Sequence, residues 1–209
     1  MLVAGVDGTK GGWVATILLD DGHYAGDRLL HPIETTWEEL ADAQVVAIDI
    51  PIGYGPREAD TAARALLSGA ASTVFSTPTR DALEKPFGPG LGVSAQAHAL
   101  GPRIRHVTVV ADRDVRIHEV HPEVSFRAMN AWRPLSHRKK SAGGALERIA
   151  LLNGQGIALD HLDEAGSVPL DDVVDAAAAA WTANRIGLRT AEAVPAAAHR
   201  GARLGVIWY

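Results

Sequence analysis

No cysteine occurs in this chain, which excludes a disulfide framework, a thiolate nucleophile and a thiolate zinc site together. No apolar run approaches the roughly 20 residues that a membrane-crossing helix requires. The first residues also lack the basic segment, long apolar stretch and small-residue cleavage site of a secretory signal, so a cytoplasmic protein is expected. Positive charge is in short supply. The chain has 20 Lys and Arg against 25 Asp and Glu, a net charge of -5, a balance that argues against a protein that coats nucleic acid. The deficit is uneven. Residues 1–100 hold 6 basic and 13 acidic side chains, residues 101–148 hold 10 and 5, and residues 149–209 hold 4 and 7. Arg127, Arg133, Arg138, Lys139, Lys140 and Arg148 dominate the basic middle. Beside an acidic centre such a patch would steer a phosphate ligand; taken alone it would equally serve as a solvated face.

What the chain does have is acid in apolar surroundings. LVAGVD ends at Asp7, VVAIDIP contains Asp49, IHEVHPE carries Glu119 and Glu123, and PLDDVVDAAAAAW carries Asp171, Asp172 and Asp175. Carboxylates are depleted in strands and rarely fully buried without a partner. Four such segments spread along one chain suggest convergence. Converging carboxylates repel unless a hard cation lies among them, so a divalent-metal site is the leading expectation.

At 209 residues the chain is expected to form a single domain, residues 1–209, with an insertion over about 53–105. LVAGVD, WVATILL and His23–Leu30 read as an antiparallel meander with a turn at Asp20-Asp21-Gly22. Thr35 and Thr36 offer caps for a short helix through Leu40. VVAIDI (Val45–Ile50) is a continuous apolar run stopped by Pro51, as in a buried parallel strand. In the insertion, Glu58–Leu67 reads as helix and the Gly/Pro/Ser-rich tract to Pro102 as irregular. HVTVV and VRIHEV suggest a strand pair around Asp112-Arg113-Asp114. Ser141–Asn153 reads as a helix with Leu146, Ile149 and Leu152 on one face, a final helix runs from Leu170 toward Leu188, and RLGVIWY suggests a last strand. This order predicts an α/β fold of ribonuclease H-like type, with a mixed five-stranded sheet and helices on both faces. A dinucleotide fold is disfavoured because Gly8–Gly12 leads into a strand, not a helix.

The acids are not equivalent. Asp7 shares a strand face with Val3 and Gly5, and Asp-Gly is also a hairpin signal. Asp49 stands between Ile48 and Ile50, where an unpartnered carboxylate is costly. Asp171 suits a helix cap, whereas Asp172 and Asp175, three apart, share a helical face. Glu119 and Glu123 are each open to use as ligand, base or salt-bridge partner. Arg57, Asp60 and Arg64 share a helical face, which fits a surface ion-pair ladder better than a phosphate clamp. The hydroxyl-rich Ser72–Arg80 segment fits either a plain loop or a substrate-contacting one.

Seven segments in order are together specific: GVDGTKGGWV, AIDIPIGY, the Arg57–Asp60–Arg64 helix, STVFSTPTR, EVHPEVSF, KKSAGGALERIALL and DDVVDAAAAAWTA. They resemble the domain-of-unknown-function 429 family, described as ribonuclease H-like nucleases from fold and acids. The final helix also resembles that of RuvC-type junction resolvases. The resemblance implies that Asp7, Asp49, Asp172 and Asp175 form the acidic centre. It places Glu123 at a motif position of unassigned role. Where the family often has cysteine before the helix aspartate, this chain has Ala59. The expected chemistry is phosphodiester hydrolysis with Asp7, Asp49 and Asp175 holding two Mg2+ or Mn2+ ions about 4 Å apart. Lys10, Arg57, Arg64, Arg80, Lys139 and Lys140 are the candidate contacts to nucleic acid or nucleotide phosphates. Two alternatives stay open. The Asp-Gly-Thr-Lys-Gly-Gly hairpin resembles the phosphate loop of actin and sugar-kinase-type phosphotransferases, and a non-catalytic metal- or nucleic-acid-binding module would retain the same acids.

Overall fold

β1 (Val3–Thr9) and β2 (Gly12–Leu18) form a tight antiparallel hairpin in the computed structural model of the protein. Residues 1–19, 22–30, 36–160, 162, 165–196 and 203–209 are described; Asp20, Asp21 and the Thr35 cap lie outside them. The hairpin turns at Lys10-Gly11, where Gly11 has φ 80°, a conformation that favours glycine. Asp7 is therefore not a turn residue; it lies in the ladder opposite Val14. β3 (Tyr24–Leu30) pairs with β2, with an irregularity between Thr16 and Leu18. After α1 (Thr36–Glu39), the apolar β4 (Val45–Ile48) enters parallel to β1, as its unbroken apolar pattern predicts.

Residues 53–105, expected as an insertion, contain α2 (Glu58–Leu66), a 3-10 turn at Ala71–Thr73, α3 (Arg80–Glu84), α4 (Ala95–Ala99) and the start of α5 (Gly101–Arg113). β5 (Ile117–Glu119) then pairs parallel with β4, and α6 (Pro122–Met129), α7 (Ala142–Gly154) and α8 (Leu170–Gly187) follow. β6 (Ala193–Val194) and β7 (Ile207–Trp208) make a separate two-stranded sheet. The main sheet has the order β3-β2-β1-β4-β5, the mixed five-stranded arrangement expected of a ribonuclease H-like fold. Strand alternation divides the core. Ala4, Val6, Val46 and Ile48 join Ile104, Val107 and Ala111 of α5 on one side, while Val3, Val45 and Ala47 join Ala177–Ala180 of α8 on the other.

Three expectations need correction. HVTVV is not a strand: it lies within α5, where Ile104, Val107 and Ala111 are buried at helical spacing. Burial along a 3.6-residue period outweighs the strand preference of its β-branched residues. The tract before Pro102 is not wholly irregular, because Thr79 and Ser94 accept hydrogen bonds from Ala82 and Ala97 and cap two short helices. In α7, Leu146 is 68% exposed while Leu152 and Arg148 are buried, so the expected apolar stripe is displaced by an arginine.

Candidate metal centre

Period-two alternation places Val3, Gly5 and Asp7 on the α8 side of β1, and Val45 and Ala47 on the same side of β4. The parallel register pairs Val6 with Ile48, and the Asp49 amide donates to the Val6 carbonyl at 2.9 Å. Asp7 and Asp49 thus sit side by side at the carboxyl ends of two adjacent parallel strands. α8 crosses this edge with an alanine surface, and Gly5 permits the contact. A Cβ at Gly5 would fall within the backbone of Ala176 and Ala180. That approach delivers Asp175, from the second turn of α8. One carboxylate oxygen from each of Asp7, Asp49 and Asp175 lies within 4.8 Å of the others. Asp172, one turn earlier, lines the same cavity of about 360 Å3.

The electrostatics of this cluster follow from desolvation and like charge. Burial raises the Asp7 carboxyl well above its usual range, and the charges of Asp49 and Asp175 add to the effect. Burial pushes Asp49 up to about 7, although the Lys139 ammonium opposes it. Asp175 is also pushed up to about 7 by burial, against the attraction of Lys139. Burial raises Asp172 against a hydrogen bond from Thr9. Lys139 forms an ion pair with Asp175 Oδ2. Burial alone would lower the lysine, but the charges of Asp175, Asp49 and Asp7 more than offset it and raise it. Asp175 Oδ1 is buried and has no hydrogen-bond partner. Oxygen donors alone, one of them unpartnered, fit Mg2+ or Mn2+ better than zinc or copper.

The other candidates are placed less uniformly. Glu123 lines the cavity, but both its oxygens accept from Arg148, Nε to Oε1 at 2.9 Å and Nη2 to Oε2 at 2.8 Å. Glu119 is held by Arg57 at 2.6 and 2.7 Å and by the Ile52 amide at 2.7 Å. Arg57 also pairs with Asp60, whose other oxygen accepts from the Thr77 amide at 2.9 Å. The expected surface ladder is thus corrected: Arg57 and Asp60 form a buried brace between α2, β5 and the hydroxyl-rich loop, with little solvent reaching either. Arg64 stands apart and binds Val74 and Ser76. Asp171 does not cap α8, since Pro169 holds the cap position without a side-chain bond. It lies in the first turn, where its charge complements the helix dipole.

Among the basic candidates, Arg57, Lys139 and Lys140 line the cavity, whereas Lys10, Arg64 and Arg80 do not. Lys10 is exposed on the β1–β2 turn, and Arg80 lies 4.7 Å from the Tyr54 ring centroid. Sequence reasoning missed three contributors. His121 lines the cavity with Nδ1 buried and unpartnered, and burial lowers its pKa. Thr9 supports Asp172, and Arg148 neutralises Glu123. Of the three only Arg148 carried a signal, as part of the basic middle of the chain.

The Glu123–Arg148 pair makes a direct prediction. Arg148→Met should lower stability by about 3–5 kcal/mol, because it leaves a buried carboxylate without its counter-charge. Adding Glu123→Gln should recover most of that loss in a denaturant titration. No recovery in the double variant would show that the pair does not account for the effect.

Comparison with known proteins identifies the chain at the level of family. No curated protein matches the chain. Among solved structures, the Thermus thermophilus RuvC structure is similar at 14% sequence identity and a TM-score of 0.40, over 91% of this chain and 98% of that chain. The family model described as "Protein of unknown function (DUF429)" matches residues 5–200. The chain therefore belongs to the DUF429 family.

Proposed function

We propose that this protein is a metal-dependent nuclease that hydrolyses phosphodiester bonds by a two-metal mechanism. The observation that carries the reading is the convergence of Asp7, Asp49 and Asp175 within 4.8 Å, with Asp175 Oδ1 unpartnered. These three residues would hold two Mg2+ or Mn2+ ions, with Asp172 beside them. When bound, such ions lower the pKa of water and offset charge on the phosphate oxygens. The protein supplies the rest. β1 and β4 fix two carboxylates rigidly, and α8 sets the third against them without an intervening side chain. Lys139 places an ammonium at the cluster, suited to a phosphate oxygen, and the exposed Lys140 extends positive charge outward. Arg148 holds Glu123 in place, which favours a positioning role for that carboxylate. Nucleic acid or nucleotide phosphates are the expected partners, and the cytoplasm the expected compartment. Among the described residues no helix is long and apolar enough to cross a membrane.

A panel of DNA, RNA and nucleotide substrates tests this reading. Wild type should cleave at least one member in Mn2+ and none in EDTA. Asp175→Asn should lose both calorimetric Mn2+ binding and cleavage. Mn2+ binding by wild type without cleavage of any member would instead favour a non-catalytic binding module.

A further inference from the structure

A second cavity, of about 480 Å3, adjoins the carboxylate cavity and shares Ser72, Val74 and Phe75 with it. The shared segment is a ridge between the two. Val74 is buried and anchors it in the apolar cluster that includes Leu67, while Phe75 remains part-exposed and borders both spaces. Arg64 lies on the far side with Ser76 and Ser94. Its guanidinium is fastened by Nε to the Val74 carbonyl and by Nη2 to Ser76 Oγ, both at 2.9 Å. Those partners are neutral. Arg57, Arg116 and Arg148 each face a carboxylate, but among the described residues none pairs with Arg64. Arg64 is thus oriented while its charge stays uncompensated, the condition for binding an anion.

We infer that Arg64 and the Ser72–Ser76 ridge form a subsite for the nucleotide next to the reacting phosphate, and that the substrate is an unpaired nucleic-acid strand. This deepens the nuclease reading and rests on it. With one phosphate at Asp7, Asp49 and Asp175, a flexible strand leaving the cavity crosses Phe75, whose face stacks an unpaired base. The following phosphate then meets Arg64 and the hydroxyls of Ser72 and Ser76. A duplex is ill suited to this path. Its bases are already stacked and paired, and the carboxylates lie in a cavity of nucleotide size, about 360 Å3. The scarcity of basic charge agrees with a short footprint. Three cationic contacts, Lys139, Lys140 and Arg64, predict a slope of log K against log salt of only about -2, at about -0.7 per phosphate for single strands.

The test is fluorescence anisotropy with labelled eight-nucleotide oligothymidylate, oligouridylate and a duplex of equal length, in Ca2+ to limit cleavage. Wild type should bind one of the single strands at least tenfold more tightly than the duplex, and the two homopolymers distinguish DNA from RNA. Arg64→Gln should weaken single-strand binding about tenfold and reduce the salt slope by about 0.7. Phe75→Ala should weaken it about tenfold, within the range for loss of one stacked base. Calorimetric Mn2+ binding should be unchanged in both variants, showing that the metal centre and fold persist. Duplex binding as tight as single-strand binding, or unchanged affinity in both variants, overturns the inference and leaves the nuclease reading standing. Absence of Mn2+ binding by wild type overturns the nuclease reading and this one with it.

Discussion

Asp7→Asn should abolish metal-dependent cleavage and yet raise the melting temperature in EDTA. The substitution keeps the side-chain shape and removes one charge from a cluster that resists ionisation. Burial and the charges of Asp49 and Asp175 raise Asp7 well above its usual range, and burial pushes Asp49 and Asp175 to about 7. At pH 8 Asp49 and Asp175, pushed only to about 7, are ionised, with Lys139 the ammonium paired directly with the cluster. Removing one charge should add about 3–6 °C, the response of a chain this long to roughly 1.5 kcal/mol. The pH dependence has a definite sign. An acid whose folded pKa is raised binds more protons in the folded state than in the unfolded state. Wild-type stability should therefore fall as pH rises from about 4, the ordinary carboxylate value, through about 7, where Asp49 and Asp175 ionise, and fall further as Asp7 ionises at its own raised value. Asp7→Asn should flatten that dependence. Saturating Mn2+ should then stabilise wild type and not the variant, because only a bound ligand shifts the unfolding equilibrium. Thermal melts across pH, with and without Mn2+, read all of this. Wild-type activity, or a lower melting temperature in EDTA, would sink the metal-centre account. A functional site that costs stability is a common compromise.

Gly5→Ala should have the largest effect on folding. The new methyl would meet the main chain of α8 at Ala176 and Ala180, and a helix backbone cannot rotate aside as a side chain can. Ordinary overpacking costs about 1–3 kcal/mol. Here β1 and α8 must separate, so the cost should approach the whole stability of a domain, about 5–15 kcal/mol. The expected result is insoluble protein, or a melting temperature lower by more than about 10 °C. Gly154→Ala, at the end of α7 with nothing within 4 Å of the added carbon, is the control. It should be neutral or slightly stabilising by helix propensity. Equal behaviour of the two variants, seen in parallel melts, would show that the β1–α8 approach is not close.

These two positions also show why the site was legible. Gly5 and Asp7 are two residues apart on a strand, so their shared face follows from the pleat alone. Asp172 and Asp175 share a face because three residues nearly complete a helical turn. Neither inference needs the rest of the molecule. HVTVV misled for the converse reason: four of its five residues are β-branched and favour a strand, and burial of Val107 with Ile104 and Ala111 at helical spacing overrode that preference.

The sequence by itself determined the alternation that aligned Asp7, the apolar run that carried Asp49 to an adjacent strand, and the alanine helix that brought Asp175 near. It also determined the resemblance to the DUF429 family. Only the tertiary structure decided which charges meet. Lys139 reaches Asp175 across 36 residues, Arg148 meets Glu123 across 25, and Arg57 meets Glu119 across 62. The physical reason is range. Pleat and helical turn repeat every two to four residues and are written locally, whereas an ion pair depends on where separate loops deliver two side chains, which packing of the whole chain settles.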